Sequence, residues 1–161
     1  MPEHVRWSDD QLREVSDHLF YELWMLEGAV QVLRLPLLGR GVLANAVVES
    51  FAVHARALHD FFYRDRTKPD DVIASDYFDS PSDWVALRGE PADELAKAVA
   101  RVNKEVAHLT FSRLSVLPEE KGWSVAEIAS CLSSVAGSWR HSARPDWLGP
   151  SWLQNASGSE R

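Results

Sequence analysis

SDDQLREVSDHLFYELWMLEGAVQVL, residues 8–33, decides the fold. Leu12, Val15, Leu19, Leu23, Leu26, Val30 and Leu33 recur at steps of three and four, which draws one continuous apolar stripe along a long helix. Ser8 with Gln11 three residues later fits a capping box, and Asp9 and Asp10 suit the positive end of the helix dipole. Pro36 and the glycines at 39 and 41 end the pattern.

Working outward, the same rhythm predicts a second helix over 42–63, with Val47, Phe51, His54, Leu58 and Phe61 on its stripe. Residues 64–71 break into a charged turn. Residues 70–89 are rich in Asp, Ser and Pro yet carry Tyr77, Phe78 and Trp84, which predicts an ordered loop pinned across the helices, with a short helix at 69–75. A third helix is expected over 91–114 with Pro91 in its first turn. A fourth is expected to start at Ser124 as cap, with Val125, Ile128, Leu132, Val135 and Trp139 facing inward. No segment shows a sustained two-residue alternation. The expected fold is all-α: an antiparallel four-helix bundle with a long connection between helices 2 and 3 and a Trp-containing C-terminal tail. One domain is expected over 1–154, followed by a disordered tail at 155–161.

The chain has 161 residues, enough for one core without staples, and a net charge of −7 that argues against a broad nucleic-acid footprint. Residues 1–27 hold seven acidic side chains against two Arg, whereas 92–114 carry Lys97, Arg101, Lys104 and Arg113 against Asp93, Glu94 and Glu105. Local anion binding therefore stays open on the third helix. A single cysteine, Cys131, excludes an intramolecular disulfide and points to a reducing, cytoplasmic setting. Neither a secretory signal nor a membrane span is expected.

Two runs place polar groups beside apolar seams: HARALHDFF at 54–62 and RVNKEVAHLTFSR at 101–113. Such groups cost free energy unless paired or used. On the second helix Arg56 and Asp60 stand at i, i+4 as an ordinary stabilising pair, and His54 occupies a stripe position where a hydrogen-bonded core histidine is the simpler reading than a catalytic one. On the third, Arg101, Lys104 and His108 share a face; Arg101 and His108 lie roughly 10 Å apart along the axis, suiting two grips on one extended anion. A solvated charged face is the bland alternative. No Glu-x-x-His, Gly-rich phosphate loop or His-Glu-x-x-His appears, so no cofactor and no metal are expected, although His18, His54, His59 and His108 leave a mononuclear metal site as a minor alternative.

Arg101-x6-His108 on a late helix of a bundle, with the runs NKEVAHLT and ESFAVHARALHDFF, resembles the HEPN superfamily, in particular bundles of the abortive-infection type, over roughly 8–139. The resemblance implies a homodimer and, in catalytic members, metal-independent RNA cleavage across the dimer cleft, with Arg101 stabilising phosphorane charge and His108 acting as general acid or base. The position after the Arg is usually polar in that signature; here it is Val102, and Asn103 one step later would take the role. The expectation for function is a HEPN-like module that dimerises or binds a partner protein, possessing a polar network of Arg56, Asp60, Arg101 and His108, in a defence or toxin–antitoxin setting. A metal-independent ribonuclease acting on RNA is the alternative.

Overall fold

The computed structural model describes residues 7–102, 122 and 124–154, and every regular element among them is helical. They form six α-helices, where the periodicity predicted four. α1 (Asp9–Leu33) opens with the expected capping box, Ser8 and Gln11 exchanging side-chain-to-backbone bonds. Leu12, Leu19, Leu26 and Val30 of its stripe are buried, with Ser16 and Ala29 beside them. After a single 3-10 turn at Pro36–Leu38, α2 (Val42–Tyr63) returns against α1. It buries only its second half, through Phe51, Ala52, Ala55, Leu58, Phe61 and Phe62.

The connection at 70–89 departs from expectation. Its 3-10 turn lies at Ala74–Tyr77, not 69–75, and a further helix, α3 (Pro81–Arg88), follows. Pro81 sits in the first turn of α3, where its missing N–H and fixed φ do no harm, and Gly89 ends it at φ +62°, a conformation that favours glycine. α4 (Asp93–Arg101) starts beyond Pro91, since the first turn is taken by Asp93 and Glu94, whose charges suit the positive end. The rest of the predicted third helix, and the tail at 155–161, lie outside the described residues. α5 (Val125–Ser142) begins after Ser124 as predicted, although the serine side chain makes no capping bond. Ile128, Leu132, Val135 and Trp139 of its predicted stripe are buried. A further 3-10 turn, Pro145–Trp147, and α6 (Pro150–Gln154) then lay the tail across α1.

The core centres on Trp139, which is fully buried and meets Phe61, Tyr77 and Trp152 edge-on at centroid distances of 5.4, 4.9 and 5.3 Å. Buried aromatics with a polar tip need a hydrogen-bond partner. Four of them find a backbone carbonyl on another element: Trp139 donates to Ala74 (3.2 Å), Trp84 to Phe62 (2.9 Å), Trp152 to Ser16 (2.5 Å) and the Tyr77 hydroxyl to Leu12 (2.8 Å). Burial pushes the Tyr77 phenol far up from its ordinary range, in keeping with a hydroxyl that stays a donor. No described helix is long and apolar enough to cross a membrane.

Candidate functional site

A cleft of about 520 Å³ opens between α1, α2 and the loop that follows α2. α1 contributes Val15, His18, Leu19 and Glu22, whose three- and four-residue steps put them on one face. α2 contributes Arg56, Ala57, Asp60 and Phe61 by the same spacing, and Arg64 follows at its C-cap. The third wall runs from Asp65 to Ile73. That loop is organised by Asp71, whose carboxylate accepts from the backbone N–H of Lys68 (2.8 Å), the Thr67 hydroxyl (2.9 Å) and the Thr67 N–H (3.1 Å). These bonds, the Lys68 N–H first, hold the Asp71 carboxyl below the usual range. Arg66 ties the loop down from inside, donating to the Asp71 carbonyl and pairing with the Asp76 carboxylate.

His18, His54, Arg56, His59 and Asp60, all singled out from sequence, meet here or at its edge. Asp60 is the hub: Arg64 donates to it at 3.1 Å, His59 lies at 3.3 Å, and Arg56 approaches through Nε at 3.7 Å. Burial alone pushes the Asp60 carboxyl up, but the hydrogen bonds from His59 and Arg64 outweigh it, and the group sits below its ordinary value. His54 is a satisfied histidine at the edge of the core: its Nδ1 lies 2.6 Å from the Glu22 carboxylate, and its ring meets Tyr21 edge-on. The i, i+4 step between His59 and Tyr63 becomes a stacked pair at 5.5 Å.

The depressed Asp60 has a pH consequence. A carboxylate whose folded value lies below its unfolded one contributes stability above the unfolded value, and loses it as pH falls through about 4. Asp60→Asn should therefore cost about 1 kcal/mol at pH 7, as expected of a partly exposed ion-pair hub. Melting curves of mutant and wild type should converge as pH falls below about 4, through the depressed folded value of Asp60. An undiminished gap there would assign the loss to packing.

Arg101 ends α4 and donates from Nη1 to the Gly122 carbonyl at 2.8 Å; it does not line the cleft. Asn103, Lys104 and His108 lie outside the described residues. Among the described residues no group of three or more His, Cys, Asp or Glu side chains converges as a metal site would require.

A second feature was missed by the sequence reading. Tyr21 and Trp24 (60% exposed) on α1 face outward, as do Val32, Leu35, Leu37 (99%), Val42 (88%) and Leu43 (67%) around the turn into α2. Trp24, Met25, Gly28 and Val32 on α1 and Ala46, Val47 and Ser50 on α2 line an apolar groove of about 350 Å³ along this end. No residue in 42–50 is buried, although most are apolar. Periodicity had already shown an apolar stripe there; the run of Val42, Leu43, Ala44, Ala46, Val47 and Val48 around it was the available signal.

Comparison of the chain with protein-family models, with curated proteins and with solved structures gives no significant match.

Proposed function

We propose that the chain is a non-enzymatic helical module that assembles with a second copy of itself through the α1–α2 hairpin end, as an antiparallel HEPN-like bundle in which α1, α2, α4 and α5 are the principal members. The observation that carries this is the uncovered apolar face. A standard interface takes about 800 Å² from each partner, whereas the largest apolar patch on an ordinary monomer is about 300–600 Å². At the hairpin end Leu35, Leu37, Val42 and Leu43 stand 57–99% exposed, continuous in sequence with the groove walls of α1 and α2. Charges near this end have both signs, with Arg34 and Arg40 set against Glu27 and Glu49. Such a rim can meet its own copy about a two-fold axis, where each patch contacts itself and opposite charges pair.

Sedimentation equilibrium of the full chain at micromolar concentration should give twice the 18.1 kDa chain mass. Gly28→Glu and Leu37→Glu should each return it to 18.1 kDa with unchanged helicity and melting. A Cβ at Gly28 meets nothing within 4 Å, and Leu37 is almost wholly in water, so neither change disturbs the monomer. A wild type that remains monomeric throughout the micromolar range would overturn the proposal.

A further inference from the structure

The α1–α2 cleft has an uneven distribution of used and unused charge. Its floor acids are taken: Glu22 holds His54, Asp60 holds His59 and Arg64, and Asp71 holds the loop backbone. Its cations are less fully engaged. Arg56 reaches Asp60 only through Nε, at 3.7 Å, too far for a hydrogen bond, which leaves both terminal amino groups of its fork unspent. Among the described residues, neither Lys68 nor His18 has a side-chain hydrogen bond or ion pair. Asp65 is the one carboxylate at the mouth in the same state. Beside these groups runs an apolar wall of Val15, Leu19, Ala57, Phe61, Val72 and Ile73. A volume of about 520 Å³ falls within the range of small-molecule sites, which pair mostly apolar walls with a few placed polar groups.

We infer that this cleft binds a small amphipathic anion, its carboxylate or phosphate head held by Arg56 and Lys68 and its apolar body laid against Phe61 and Ile73. The planar fork of Arg56 matches either head in bidentate fashion, and Lys68 supplies a second, flexible cation. His18 stands on the facing helix, where a neutral or protonated ring can donate to the head. The inference is independent of self-association, since the cleft lies along the second half of α2 and the apolar groove along the first.

Isothermal titration calorimetry with 4-phenylbutyrate and with phenyl phosphate tests both heads, and inorganic phosphate and 4-phenylbutanol test head and body alone. Saturable binding of at least one aromatic anion, and weak or no binding of inorganic phosphate and the alcohol, is the expected result. Arg56→Gln and Lys68→Ala should each weaken it about tenfold or more, while circular dichroism shows the fold kept. No binding of either aromatic anion at millimolar concentration would overturn the inference. So would binding indifferent to Arg56→Gln, or inorganic phosphate binding as tightly as phenyl phosphate.

Discussion

Trp139→Ala should cost about 3–5 kcal/mol, the range for deleting a large buried aromatic, and lower the melting temperature by about 10 °C or more. The loss has two parts. Removing the indole empties the space shared with Phe61, Phe62, Tyr77 and Trp152, so four rings from α2, the 70–89 connection and the tail lose their common neighbour. It also strips the Ala74 carbonyl of its donor in a place water does not reach, which adds the penalty of an unmet buried acceptor. Trp139→Phe separates the two, because it returns most of the ring contact and none of the hydrogen bond; it should fall between wild type and Ala. Urea unfolding read by circular dichroism checks both. A loss below about 1 kcal/mol for Trp139→Ala would mean that the aromatic cluster is not the centre of the core.

Gly149→Ala should destabilise by about 1–3 kcal/mol, the usual cost of forcing a methyl into a filled site. A Cβ at this position would stand 2.4 Å from Asp17 Oδ1 and 2.7 Å from the Arg13 carbonyl oxygen. The aspartate can swing away, but it then abandons the Ser151 N–H that it accepts at 3.1 Å; the Arg13 carbonyl belongs to helix backbone and cannot move alone. The bond from the Gly149 N–H to Ser16 Oγ, 2.7 Å, is broken in either case. Hydrogen exchange should show the tail amides of Gly149, Ser151 and Trp152 opening first, with the 42–63 helix little changed. Uniform loss of protection would instead tie the tail to the whole fold as one cooperative unit.

How much of this was legible depends on how far each feature is local. α1 and α2 could be bounded from sequence because their caps, breakers and stripes lie within the segments themselves. α3 was missed because it buries one large side chain, Trp84, and so draws no stripe; the Ser80–Pro81 start and the Gly89 stop were its only signals. Ser16 was overlooked for the opposite reason. A small polar residue inside a leucine stripe reads as a gap, and it becomes the docking point of the tail only when Gly149 and Trp152 arrive from far along the chain. The Arg56–Asp60 pair was visible as an i, i+4 step, but the cleft it faces needed the 65–73 wall, whose shape rests on Asp71 and Arg66. The uncovered hairpin end left a trace in the apolar run at 42–48, but periodicity shows that a helix has an apolar face and not which neighbour covers it.

The tail contact also sets a schedule. Ser16 and Trp152 are 136 residues apart, and at ~5–20 residues per second a ribosome needs between about 7 and 27 s to make that span. For all of that interval the leading helix exists without its closing strap, and its seam beside Leu12 and Leu19 is open to whatever the crowded surroundings offer. Moving residues 145–154 ahead of α1 by circular permutation would shorten the wait.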